Sequence, residues 1–303
     1  MPLVNVRGVD HYYEWIRNSQ NDRDKPVMVF IHGWGGSARY WRSTATALAS
    51  EYDCLLYDLR GFGRSVLPSE AVTAEGGHPQ ALDLKSRERM TINYDLEEYA
   101  EDLIILLNTL NIDRIYLHAH SMGASIATLF INRYSDRVIA AILTCNGIFE
   151  YDAKAFAAFH KFGGYVVKFR YNWFLRVPLA DRMFMARFLS SPIDKSDRVA
   201  FLEDFLLANY EAAVGTIYTS VSKKAVDTMP KEFAKIPIPT LMISGEKDII
   251  IPAKMGKQAS ELNEQIQYRE IPNTGHFPML EAKNTYLEIV QSFLATPFKL
   301  TNA

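Results

Sequence analysis

The chain has 303 residues, 48% of them hydrophobic and 22% charged, which is ordinary usage for a soluble globular protein with room for a large core. Its 33 basic and 35 acidic residues leave a formal charge of -2, so nothing global points to nucleic acid as a partner. No run of 18 apolar residues suggests a spanning helix, and the start lacks the basic flank and apolar stretch of a secretory signal, so the cytoplasm is the expected location.

The first strand-like run is Val27 to Ile31, after Pro26 and before Gly33, Gly35 and Gly36. A helix follows over Tyr40 to Ser50, then a second apolar run, Cys54 to Tyr57, ends at Asp58. The stretch Val66 to Asn93 is long and irregular, with Gly76, Gly77 and two prolines, and reads as a flap near a binding mouth or as a plain surface excursion. Asp95 to Leu110 then carries Leu96, Tyr99, Leu103, Leu106, Leu107 and Leu110 at helical spacing, with acids in its first turn. Continuous apolar strands between amphipathic helices predict an α/β protein with a mostly parallel sheet covered on both faces.

The next strand, from Ile115 to His120, stops at Ser121, and a helix opens at once and runs to about Tyr134. A serine on so tight a turn is thrust clear of the sheet, and its neighbours two before and two after are small, Ala119 and Gly123. Serine is a poor nucleophile at neutral pH unless a histidine takes its proton and a carboxylate orients that histidine. Both candidates lie downstream. Asp248 follows the strand Thr240 to Ser244, with Glu246 as a nearby rival, and His276 follows one further short strand in the run Gly275-His276-Phe277-Pro278.

Between these halves the alternation breaks. After the strand Val138 to Thr144, residues 147 to 230 read as several helices with no credible strand. The simplest organisation is an α/β core over residues 1–146, a helical insertion over 147–230 and the rest of the core over 231–303. Such an insertion would cap the carboxyl ends of the strands, where open α/β sheets place their ligands.

With these motifs in order, the chain resembles the α/β-hydrolase fold superfamily, in its cap-bearing branch of esterases, lipases and related hydrolases. The resemblance rests on His32-Gly33-Trp34-Gly35-Gly36, on Asp58-Leu59-Arg60-Gly61-Phe62-Gly63, on the turn at Ser121 and on the pair Asp248 and His276. One position departs, because Ala119 stands where the family elbow usually has glycine, a change of one methyl group. The resemblance implies Ser121 as nucleophile, His276 as base, Asp248 as its orienting partner, and the backbone amides of Met122 and Trp34 as an oxyanion site. It implies no cofactor and no metal. His32, His118 and His120 read as structural, Asp58 as part of a structural turn, and Cys54 and Cys145 as core thiols.

The implied reaction is hydrolysis of a small-molecule ester with a hydrophobic acyl or aromatic part. C–C bond hydrolysis, acyl transfer, a cofactor-free haloperoxidase reaction and a ligand receptor that keeps the triad are the alternatives. In the insertion, Phe159, Phe162, Val166, Phe169 and Trp173 recur at spacings of three and four, an apolar stripe that would pack the cap on the core or, more specifically, line a substrate pocket beside Trp34. From Lys154 to Arg187 seven basic residues stand against one acid, Asp181, so the cap also offers peripheral contact with an anionic membrane.

Overall fold

The computed structural model describes residues 2–18, 25–65 and 93–296. The irregular stretch expected from Val66 onward lies outside them as far as residue 92. Two strands precede the first expected one: β1 (Leu3–Val6) and β2 (Val9–Ile16) form an antiparallel hairpin. Their link is Arg7-Gly8, both at positive φ, the tight turn whose twist suits a hairpin.

The expected strands follow as β3 (Val27–Ile31), β4 (Asp53–Tyr57), β5 (Ile115–His120), β6 (Val138–Thr144), β7 (Thr240–Gly245) and β8 (Ile266–Ile271). They form one sheet in the order β1-β2-β4-β3-β5-β6-β7-β8, parallel from β4 to β8. The helices between them are α1 (Arg42–Leu48), α2 (Leu96–Thr109) and α3 (Met122–Arg133). The chain leaves β3 for β4 on one side and returns to β5 on the other. That reversal opens a crevice beyond the carboxyl ends of β3 and β5, where open α/β sheets bind ligands.

Burial is nearly continuous along β3 to β7 because both faces are covered, and successive side chains enter opposite clusters. Val29 and Ile31 of β3 join a cluster with Leu103 of α2 and Phe130 of α3, while Met28 and Phe30 join Trp41, Leu48 and Tyr286 on the other face. Cys54 and Cys145 are buried free thiols.

After β6 come five helices with no strand among them: α4 (Ala153–Lys168), α5 (Ala180–Met185), α6 (Lys195–Leu207), α7 (Tyr210–Ser220) and α8 (Lys223–Lys235). α8 continues through Pro230, where the sequence suggested the block would end, and buries Met229 and Phe233 on either side of it. The core then resumes with α9 (Ala253–Ser260), α10 (Pro278–Glu281) and α11 (Lys283–Leu294). Among the described residues no helix is long and apolar enough to cross a membrane.

The aromatic stripe on α4 does not pack against the core, contrary to the simplest expectation for it. Phe159, Phe162 and Phe169 are exposed, and the helix seats itself through Gly163 and Val167 instead. A side chain at Gly163 would press on Ile217 of α7, so the glycine sets the approach of the two helices. The helical face centred on Gly163 and Val167 is rotated by roughly a third of a turn from the stripe. The helix also ends at Lys168, so Trp173 sits on a separate 3₁₀ turn.

Candidate active site

Ser121 has φ 54° and ψ -124°, a conformation that L-residues rarely hold and that aims its side chain out of the sheet. Its hydroxyl caps no backbone group of α3. It reaches Nε2 of His276 instead, at 3.0 Å. On the other side of that ring, Nδ1–H donates to Oδ2 of Asp248 at 2.7 Å. Asp248 and His276 are both buried, so water competes weakly for either hydrogen bond.

The turn at Ser121 depends on its small neighbours. A side chain on Gly123 would strike the carbonyl oxygen of His32, because the start of α3 passes directly over the end of β3. Ala119 is fully buried in β5, where its methyl is accommodated. On the opposite flank, a side chain on Gly33 would touch both Ser121 and His120, which places the loop after β3 against the serine. Met122 follows Ser121 directly, and Trp34 follows Gly33 in the loop beside it. Trp34 is held by its indole N–H, which donates to the carbonyl of Ala213 at 2.9 Å.

Asp248 divides its two oxygens. Oδ1 accepts the amides of Ile250 and Ile251 at 2.8 and 3.0 Å, closing its own turn, which frees Oδ2 for the histidine. The rival Glu246 faces away, accepting from Asn273 N and Lys247 Nζ. Behind the pair, burial pushes the Cys145 thiol well up, so it stays neutral beside the carboxylate.

The remaining histidines hold the scaffold. His32 accepts from Leu59 N–H and donates to Gly33 O, joining the loops after β3 and β4. His120 donates through Nε2–H to the carbonyl of His276 at 2.7 Å and accepts on Nδ1 from Tyr40. The Tyr40 hydroxyl in turn accepts the Gly33 amide. Burial lowers the pKa of His32, His118 and His120, keeping these imidazoles neutral. Asp58 is buried and takes hydrogen bonds from Ala38, from the Arg64 amide and from its guanidinium, which is structural work.

Among the described residues one cluster, His120, Cys145 and His276, has the geometry of a metal site. Both nitrogens of each of its imidazoles are already engaged in the hydrogen bonds given above.

Two residues of the site carry no motif. Tyr40 is one. Glu281 is the other: its carboxylate accepts the amides of Gly275 and Phe277, which flank His276, and those of Ser190 and Ser191 in the helical insertion. His276 N–H itself donates to Phe188 O at 2.7 Å and Ser191 Oγ donates to Asn273 O at 2.8 Å, so the insertion grips the histidine loop directly as well as through Glu281. The signal for Glu281 was a lone carboxylate five residues past the histidine, after the apolar run Phe277-Pro278-Met279-Leu280.

The expected substrate residues separate. Phe169 lines a cavity of about 310 Å³ in the insertion, with Tyr165, Phe174, Phe184 and Phe205, whereas Phe159, Phe162 and Trp173 do not line it. Phe205 is shared between that cavity and the ring of Trp34, 5.6 Å away centre to centre.

Comparison with known proteins places the fold. A family described as alpha/beta hydrolase fold matches residues 26–283. AB hydrolase superfamily protein YisY of Bacillus subtilis is 24% identical over 88% of this chain and 90% of its own length. Among solved structures, a bromoperoxidase from Bacillus anthracis aligns with a TM-score of 0.75 at 22% identity, covering 95% of this chain and 96% of that one. An esterase from Exiguobacterium antarcticum aligns with a TM-score of 0.74 at 18% identity, over 97% and 99% of the two chains.

Proposed function

Because the chain belongs to the α/β-hydrolase fold family, whose members share a scaffold but not a reaction, we propose from its own side chains that it is a serine hydrolase acting on carboxylic esters with a hydrophobic acyl or aromatic part. The observation that carries this reading is the unbroken chain from Asp248 through His276 to Ser121, with hydrogen bonds of 2.7 and 3.0 Å.

In the proposed reaction, Ser121 Oγ attacks the ester carbonyl as His276 Nε2 takes its proton, and Asp248 holds the ring with Nδ1–H toward it. The amides of Met122 and Trp34 receive the developing oxyanion, Met122 from the positive end of α3. His276 then gives its proton to the leaving alcohol, and an acyl group remains on Ser121. Water, deprotonated by the same nitrogen, releases the acid and restores the serine. No external cofactor enters this cycle. Residues 147–230 act in it as a cap, and the cavity beside Phe205 supports a substrate with an apolar part.

Two measurements test the proposal. A fluorophosphonate probe should label wild type on Ser121, and p-nitrophenyl esters of increasing chain length should turn over many times per enzyme. A single stoichiometric burst would instead indicate a receptor that retains the triad. Phe169→Ala should shift the preferred acyl length, since Phe169 walls the cavity; an unchanged preference would remove the cavity from substrate binding.

A further inference from the structure

Of the seventeen large hydrophobic side chains exposed among the described residues, eleven lie between Tyr151 and Met183. This stretch covers α4, the 3₁₀ turn Asn172–Arg176 and most of α5. Scattered exposed hydrophobics are ordinary on a soluble protein, but concentration in one segment marks a surface that meets something.

The charges on the same face indicate what it meets. Lys154, Lys161 and Lys168 recur every seventh residue, so they share one side of α4, next to the side bearing Phe162, Tyr165 and Phe169. With Arg176, Arg182 and Arg187 they make six exposed cations, none of which has a carboxylate within 4.0 Å among the described residues. Two of them lie near exposed rings instead, Lys168 by Phe169 and Arg187 by Phe162. A second copy of this chain would bring the same cations against each other, which disfavours self-association through this face. Aromatic rings interleaved with unpaired cations suit the boundary of an anionic bilayer, where rings settle at headgroup depth and cations meet phosphates.

Leu179 adds an independent observation. It sits at φ 64° in the left-handed region, which asparagine or glycine occupies far more readily, and it is 59% exposed. One turn later Met183 is 75% exposed. Leucine at this position is costly for the backbone and gains little from burial in the free protein. We propose that Leu179 and Met183 are inserted into an anionic lipid surface on which the 151–187 face docks.

The test uses the full chain and sedimented vesicles of phosphatidylcholine, with or without phosphatidylglycerol. Binding should require phosphatidylglycerol and should weaken at least about tenfold at high salt. The double variant Leu179→Asn, Met183→Asn should keep wild-type thermal stability and soluble-ester turnover while losing at least about tenfold in vesicle affinity. Should that variant misfold, Lys161→Glu with Lys168→Glu gives the same reading. Equal binding to both vesicle types, no binding to either, unaltered binding by the folded variants, or dimerisation through this face in light scattering would overturn the proposal. Docking does not depend on the proposed chemistry: Ser121→Ala should bind vesicles as wild type does, so a failure of ester hydrolysis and a failure of docking are separately visible.

Discussion

Around Ser121 polar groups are buried and paired in series, whereas between Tyr151 and Met183 apolar groups stand in water, and Lys154, Lys161, Lys168, Arg176 and Arg182 have no carboxylate within 4.0 Å among the described residues. The first arrangement fixes atoms. His276 is held by Asp248 at its ring, by Phe188 and His120 at its backbone, and by Glu281 through the amides on either side. The second arrangement stores unsatisfied surface. A region so built gains little stability from its own side chains, which is expected of a surface whose partner arrives later. Each contrast can be broken by a substitution, beginning with those that should hurt most.

Ser121→Ala should lower ester turnover at least about 10⁴-fold while leaving the fold and melting temperature close to wild type. Retained turnover would move the chemistry out of the paired region altogether. Glu281→Gln should come next. A glutamine offers one acceptor oxygen and adds N–H donors facing the amides that the carboxylate now satisfies. Hydrogen bonds to a charged group contribute about 1.5–3 kcal/mol each, so we expect about 10- to 100-fold loss in kcat, with a lower melting temperature. An unchanged kcat would mean that His276 keeps its position without the insertion's grip.

The extent to which these regions were legible in the sequence differs for a physical reason. The turn at Ser121 and its hydrogen-bonded partners impose residue identity: a serine at positive φ, a glycine where α3 crosses β3, and a carboxylate and histidine after later strands. Such demands leave a readable pattern. Glu281 left almost none, because a carboxylate that accepts backbone amides can sit wherever loops converge. The hairpin of β1 and β2 was missed because Asp10-His11-Tyr12-Tyr13-Glu14 has no continuous apolar run to mark a strand. The periodicity of the stripe holds as far as Phe169 but not to Trp173, and it leaves exposure open, since periodicity says which residues share a face and not what covers it.

Buried imidazoles in the core should dominate the response to acid. His11 is lowered to about 4 and His118 to about 3, chiefly by burial, against an ordinary value of 6.5. The unfolded chain therefore binds protons that the folded one does not. Stability is full above about pH 6.5 and is lost as pH falls toward 4, by about 1.4 kcal/mol per pH unit for each such imidazole. Asp102 works the other way, since burial raises it to about 6 and its ionisation costs stability as pH rises toward that value. Thermal melts from pH 7 to pH 4.5 should show a net loss, shallower in His118→Gln and steeper in Asp102→Asn. A flat wild-type profile would contradict the burial of these imidazoles.

The smallest effect is the most informative about the second region. Phe130 lies fully buried against Tyr134 and the core, and Phe130→Ala should cost about 3–5 kcal/mol through lost burial and the cavity left behind. The same change at Phe162 removes a ring that is 57% exposed and whose clearest polar contact is the Arg187 guanidinium at 5.8 Å. An exposed cation–π contact of that kind contributes about 0.5 kcal/mol, so Phe162→Ala should leave the melting temperature within a few degrees of wild type. Two substitutions of identical chemistry, compared in one denaturation series, thus measure how far each region depends on its own packing. A loss at Phe162 approaching that at Phe130 would show that the stripe is buried in solution, and would return it to the role of packing the insertion on the core.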